Sequence, residues 1–152
     1  MGSEKLKPLA RATRAPAVMQ RGHVVLSRAL EEEIFRSAEI LSEGSCRSES
    51  AVSHDSYFGS TMISVELDRL KRQWRGDFDP MARRQLAEAV DGSVRVRLRA
   101  MRMACAEATR RVRDRELGTA QCEIRVRLTD TQLHIDVDLE VPLGVSSGSR
   151  VR

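Results

Sequence analysis

Residues 122–141 contain two runs in which apolar and polar side chains alternate strictly. The apolar members are Cys122, Ile124, Val126 and Leu128 in the first run, then Leu133, Ile135, Val137, Leu139 and Val141 in the second. Because successive side chains of a strand point to opposite faces, this period predicts two β-strands. A turn between Asp130 and Thr131 puts all of these apolar residues on one face, and a slip of one residue would reverse every pairing. We therefore predict an antiparallel hairpin with Leu128 opposite Leu133.

The second face of this hairpin carries charges of both signs. The same register sets Arg125 opposite Asp136, with Asp138 at diagonal reach, and Arg127 opposite an exposed His134. Neutralisation by the arginines is the favoured interpretation, and a divalent-cation site on the acidic side chains is the alternative; those side chains are Asp136, Asp138 and Glu140. Since two strands alone are marginal in water, the apolar face of the hairpin requires a cover.

An arginine-rich segment before the hairpin has the spacing of an amphipathic helix. Its apolar seam recurs at steps of four and three and consists of Val94, Leu98, Met101, Cys105, Ala108 and Val112. A short strand over 93–99, behind the turn signal Asp91-Gly92, is the alternative. We favour the helix because the seam continues past Leu98 and Ala, Arg and Met are good helix formers. Gly118 is predicted to follow its C-terminal end.

The N-terminal half is predicted to hold helices around a polar connector. Ser27 is a candidate N-cap for a helix that runs to Leu41. A second helix is predicted from Thr61 to Arg75, and the serine-rich stretch 42–60 between the two is predicted to be a loop. Asp79 followed by Pro80 predicts the start of a further helix that ends near Val90.

The length of the chain fits one domain. Its 152 residues contain 41% apolar but only 3% aromatic residues, so the core should be aliphatic. Residues 1–22 hold five cations and one carboxylate and are predicted to form a disordered basic arm, with an organellar transit segment as the disfavoured alternative. The prediction is therefore a single α+β domain over 23–143 with a flexible tail at 144–152. N-terminal amphipathic helices and a long arginine-rich helical segment would pack with the C-terminal hairpin.

Motifs for catalysis, cofactors or metals are missing from the sequence. It contains no glycine-rich phosphate loop, nucleophile elbow or closely spaced pair of cysteines or histidines, so we predict no enzyme, cofactor, metal site or small-molecule substrate. A dyad of Cys46 with His54 is disfavoured, because a polar loop does not preorganise a nucleophile and its base. Cys105 and Cys122 are predicted to be core residues, whereas modification of Cys46 or Ser48 stays open. An odd number of cysteines at wide spacing indicates a reducing, intracellular compartment, and the sequence has no membrane-spanning apolar run.

The remaining candidate site is a stripe of arginines along the predicted helix. Its members are Arg95, Arg99, Arg102, Arg110 and Arg113. Guanidinium groups at this spacing suit contacts with phosphates or carboxylates. The competing interpretation is a solvated helix flank whose cations pair with Glu107, Asp114 and the acidic face of the hairpin.

The function predicted from these features is a non-enzymatic interaction or assembly subunit. Three apolar helical stripes need burial, yet the hairpin offers one face of two strands. We therefore expect a protein partner, or a second copy in a homo-oligomer, to cover the rest. The alternative is a nucleic-acid-associated accessory protein that uses the arginine stripe on the phosphate backbone.

Overall fold

The computed structural model describes residues 17–20, 23–48 and 55–146 and confirms the α+β class. Seven strands and four helices follow one another in these residues. In chain order they are β1 (Ala17–Gln20), β2 (His23–Leu26), α1 (Arg28–Ser37), β3 (Glu39–Arg47), β4 (Ser56–Glu66), α2 (Leu67–Lys71), α3 (Pro80–Asp91), α4 (Val94–Arg111), β5 (Arg115–Leu117), β6 (Gln121–Leu128) and β7 (Gln132–Ser146). Strands β1 and β2 form an antiparallel pair, and the other five form one sheet.

The larger sheet has the order β3-β4-β7-β5, with β6 also paired to β7. The predicted hairpin is confirmed, because the Thr129 N–H donates to the Gln132 carbonyl over 2.9 Å and leaves Asp130 and Thr131 in the turn. Strand β7 is 15 residues long, and its later part pairs with β5 in a register that sets Leu117 opposite Leu143. Among the described strands, β3 lies at one edge of this sheet.

The first helix begins as predicted and ends early. The Ser27 hydroxyl accepts a hydrogen bond from the Leu30 N–H over 3.2 Å, which makes Ser27 the N-cap. The helix stops at Ser37, and Ala38 is already extended, so the prediction of helix up to Leu41 is wrong. Of the two residues that suggested another turn, Ala38 is the C-cap and Leu41 lies in β3.

The helix predicted over 61–75 forms only over α2, and the loop predicted over 42–60 is wrong over 42–47 and 56–60. Residues 49–54 of that loop lie outside the described part of the chain. Strands β3 and β4 contain much of the serine-rich stretch, and β4 continues to Glu66 before the short helix α2. The residues that suggested a helical stripe begin in a strand, where the β-branched residues Ile63 and Val65 lie on the same face and are both buried.

The arginine-rich segment is helix α4, which rules out the strand alternative over 93–99. Its predicted seam is only partly correct: Ala108 and Val112 are buried, but Val94 is 68% and Leu98 39% exposed. The buried stripe consists of Val96, Ala100, Ala104 and Ala108. Small side chains allow a helix to approach its neighbours closely, so the buried face was not the most hydrophobic one. Helix α4 also ends at Arg111, well before Gly118, which instead contacts Pro142.

Helix α3 begins as predicted. The Asp79 carboxylate accepts a hydrogen bond from the Ala82 N–H over 2.8 Å, and Pro80 occupies the first turn. Gly92 follows at the C-cap and separates α3 from α4.

The predicted arm overlaps one strand, and the predicted start of the tail lies inside another. Residues 17–20 of the predicted arm form β1, and 144–146 of the predicted tail complete β7. The other residues of the arm up to 22, and of the tail from 147, are outside the described part of the chain. The assignment of 23–143 to a single domain stays a prediction.

Residue contacts cluster into two units. The first comprises Met1–Glu39, Ser64–Val96 and Val126–His134, and the second Ile40–Ile63, Arg97–Arg125 and Ile135–Arg152. The core of the first unit includes Leu30, Ile34, Leu70, Leu86 and Val90, and that of the second includes Tyr57, Ile63, Ala100, Ala108 and Val137. In the described ranges, no helix is both long and apolar enough to cross a bilayer.

Candidate functional site

Four members of the arginine stripe lie on α4, and Arg113 lies two residues beyond the end of this helix. Several of the five have partners within the chain. Arg95 pairs with Glu31 at 2.9 Å, and Arg110 pairs with Glu107. The Arg113 guanidinium donates to the Arg110 carbonyl over 3.3 Å. The predicted pairing of the stripe with Glu107 is thus confirmed.

The remaining members of the stripe differ in their surroundings. Arg99 is half-buried and has an interaction of its own, whereas Arg102 is exposed to solvent. Asp114, the other carboxylate predicted to neutralise the stripe, is also engaged. The stripe is therefore a helix flank with internal partners rather than a continuous row of unpaired cations.

The charged face of the hairpin forms a network with β4. Asp138 accepts hydrogen bonds from Ser60 on β4 and from Arg125, each over 3.0 Å, and Arg125 also lies 3.5 Å from Glu123. Arg125 thus forms an ion pair with Asp138, the residue that the predicted register places at diagonal reach. These charges neutralise one another as the favoured interpretation predicted. Over the described residues, no group of three or more His, Cys, Asp or Glu side chains is placed to hold a metal ion.

His134 is buried, contrary to the prediction that it faces solvent. It is 7% exposed, and its Nδ1 lies 2.7 Å from the Ser64 hydroxyl. The alternation within the hairpin gives no sign of β4, which pairs with β7 and places Ser64 against the His134 ring. This hydrogen bond gives the Ser64 hydroxyl and Nδ1 of His134 a partner inside the protein.

The other candidate reactive groups are the three cysteines and Ser48. Cys105 and Cys122 are half-buried free thiols, and burial raises the pKa of both, which disfavours the nucleophilic thiolate. Cys46 is exposed at the end of β3, but its suggested partner His54 lies outside the described residues. Ser48, the other candidate for modification, is exposed.

Strand β3 forms an edge with exposed aliphatic side chains, which the sequence analysis missed. Ile40 is 41% and Leu41 56% exposed. A groove of about 360 Å³ lies beside it, lined by Ile40, Ser42, Thr61, Met103, Ala106, Glu107 and Arg110. The edge and groove, called here the β3 edge site, combine main-chain hydrogen-bonding groups with apolar surface.

A helix side chain approaches the main chain of β3 in this site. The Arg111 guanidinium donates to the Ser42 carbonyl over 3.0 Å and is also hydrogen-bonded to Glu107. The hydrogen bond to Arg111 is the main cause that lowers the pKa of Glu107, and the same bond raises the pKa of Arg111.

Tyr57 fixes β3 against β4 on the buried face. A Cβ at Gly44 would lie 1.9 Å from the Tyr57 hydroxyl oxygen, and one at Gly59 would lie 2.8 Å from its ring. Both positions therefore need glycine to make room for the aromatic ring, which is 2% exposed. Burial raises the pKa of Tyr57, so the phenol stays protonated at neutral pH. The β3 edge site is thereby built on a close-packed support.

Comparisons with family models, curated proteins and solved structures found no match.

Proposed function

We propose that this protein is a non-enzymatic interaction or assembly subunit that binds a protein partner at the β3 edge site. The observation that carries the proposal is the exposure of Ile40 and Leu41 on a strand at the edge of the sheet, beside the groove that contains Met103. Proteins manage such edges because exposed N–H and C=O groups pair readily with another strand. An added strand would gain main-chain hydrogen bonds from β3 and apolar contacts from the groove.

Several of the described groups that could support catalysis have structural roles or are disfavoured as nucleophiles. His134 is buried with Ser64, Asp138 is shared by Ser60 and Arg125, and two of the three cysteines have raised pKa values. These contacts support a binding role rather than an enzyme. The three free thiols fit a reducing intracellular compartment.

The alternative is a nucleic-acid-associated accessory protein. Exposed Arg102 favours it, since an unshielded guanidinium can contact a phosphate. The ion pairs of Arg95 and Arg110 weigh against it, because a phosphate would compete with Glu31 and Glu107 for them.

The test combines solution mass with partner capture and uses Ile40→Lys as the disabling variant. Sedimentation equilibrium would be measured on the 17.1 kDa chain, with and without nuclease, and capture from the native host would be compared between parent and variant. We expect either self-association or capture of a defined protein, and loss of that binding in Ile40→Lys at an unchanged melting temperature. Arg102→Glu is the matched control, because it changes an exposed charge elsewhere on the surface.

Three outcomes would separate the functions. Binding lost in Ile40→Lys and retained in Arg102→Glu supports the interaction subunit. A mass that falls on nuclease treatment, with binding lost in Arg102→Glu, supports the nucleic-acid alternative and contradicts the main proposal. A monomeric protein would also contradict the main proposal if Ile40→Lys retains every protein that the parent captures, or if the parent captures none.

A further inference from the structure

The sequence of β3 is complementary to itself when the strand is reversed. In an antiparallel pair centred on Glu43, Glu39 of one copy lies opposite Arg47 of the other, and the reverse pair occurs at the far end. Between them Leu41 lies opposite Ser45 and Ile40 opposite Cys46. Residues directly opposite in such a pair share a face, so each carboxylate meets a guanidinium on the same side of the sheet.

We propose that β3 pairs antiparallel with β3 of a second copy of this chain, so that two sheets join into one across a two-fold axis at Glu43. This inference rests on the proposed function and names its partner. A two-fold interface uses the same patch on both copies, and therefore requires a patch that complements itself. The opposite charges at the two ends of β3 meet that requirement.

The two end charges cannot satisfy each other within one chain. Glu39 and Arg47 are eight residues apart in an extended strand, or about 26 Å at 3.3 Å per residue. Both side chains are exposed. The guanidinium of Arg47 lies 4.4 Å from the centre of the Phe58 ring. Stacking of this kind holds the planar group and leaves its N–H donors available at the rim for a carboxylate.

The register has one unfavourable contact at its centre, where Glu43 faces its own copy. Like charges directly opposite destabilise a strand pair. Arg111 moderates this repulsion, because its positive guanidinium attracts the Glu43 carboxylate. The same guanidinium donates a hydrogen bond to the neighbouring Ser42 carbonyl. A carbonyl oxygen has two lone pairs, so Ser42 can still accept a hydrogen bond from the second copy.

A charge-swap experiment tests both the partner and the register. Sedimentation equilibrium from about 5 to about 500 µM brackets the weak association expected of a small interface. Glu39→Arg and Arg47→Glu should each weaken the dimer about tenfold or more, because each replaces two attractions by two repulsions. An equimolar mixture of the two variants should recover dimers, since the mixed dimer has opposite charges at both ends. The doubly substituted chain should recover them as well.

Two further variants sharpen the outcome. Glu43→Gln should strengthen the dimer severalfold by removing the central repulsion, and Arg102→Glu should leave it unchanged. Circular dichroism and melting temperature would show that every variant is folded. A dimer whose single variants are not rescued by mixing would overturn the inference, because rescue requires that the two side chains meet across the interface.

The outcomes also separate this inference from the proposed function. A strictly monomeric chain that still captures another protein, with capture lost in Ile40→Lys, overturns the self-pairing of β3 and leaves the interaction subunit in place. A monomer with no such partner overturns both.

Discussion

Strands β7 and β3 belong to the same sheet and have opposite environments. In β7 the apolar positions from Leu133 to Val141 are at most 3% exposed, and even His134 is covered. In β3 no residue is fully buried, and Ile40 and Leu41 show a large part of their surface. An interior strand stabilises the fold through side-chain burial, whereas an edge strand retains main-chain and apolar groups for another strand. We therefore expect changes in β7 to affect stability and changes in β3 to affect binding.

The largest expected effect comes from the same kind of substitution in the two strands. Val137→Asp buries a carboxylate at a fully buried position and should cost about 3 to 5 kcal/mol, enough to unfold much of the protein. Leu41→Asp places its charge at an exposed edge position and should change stability by about 0.5 kcal/mol or less. Urea denaturation measures both. Similar losses in the two variants would contradict the contrast between the strands.

A smaller effect is expected where β3 contacts the buried side of the sheet. Gly44→Val would drive a side chain into Tyr57 and should cost about 1 to 3 kcal/mol, whereas Ser45→Val at the next, exposed position should be nearly neutral. The mechanism is tested by combining Gly44→Val with Tyr57→Leu, which removes the clashing hydroxyl. The combined loss should be smaller than the sum of the two single losses. Strict additivity would show that Tyr57 is not the obstacle.

The contrast between the strands explains what the sequence could predict. The hairpin was predictable because one face is buried and the other is solvated, so apolar and polar residues alternate along both of its strands. Strand β3 carries serine, glycine and charged residues because its surroundings demand no alternation, and the helical spacing before it wrongly extends the predicted helix through Ile40 and Leu41. Stripes at steps of four and three are ambiguous when they cross an element boundary, as they do between Ile63 and Leu67.

The candidate site was less predictable than the fold. The arginine stripe could be read from α4, but its carboxylate partner Glu31 lies 64 positions before Arg95. The buried alanines of α4 have little hydrophobicity, so larger residues such as Val94 defined the wrong seam. Which strand forms the edge depends on the order of the strands in the sheet, and a local sequence pattern does not determine that order.

The smallest effect concerns the contact between α4 and the edge strand. Glu107 has a lowered pKa, chiefly because Arg111 is hydrogen-bonded to it, and Arg111 in turn binds the Ser42 carbonyl of β3. A carboxylate with a lowered folded-state pKa stabilises the protein above its ordinary pKa of about 4.5, and this stabilisation is lost as the pH falls through the folded-state value. Parent and Glu107→Gln should therefore differ in free energy of unfolding near pH 7 and converge in acid. Because the pair is on the surface, salt should reduce the difference.

Arg111→Ala provides the matched control for this titration. It removes the donor of the hydrogen bonds to both Glu107 and the Ser42 carbonyl. Its stability should therefore move towards that of the parent in acid but keep the part of the difference that comes from Ser42. The double variant should lose less than the two single variants together if the two side chains act as one unit. A difference between parent and Glu107→Gln that stays constant from pH 7 to about pH 3 would show that the carboxylate acts through packing rather than through its charge. In that case the attachment of α4 to the edge strand would depend on the hydrogen bond from Arg111 to Ser42 and not on its ion pair.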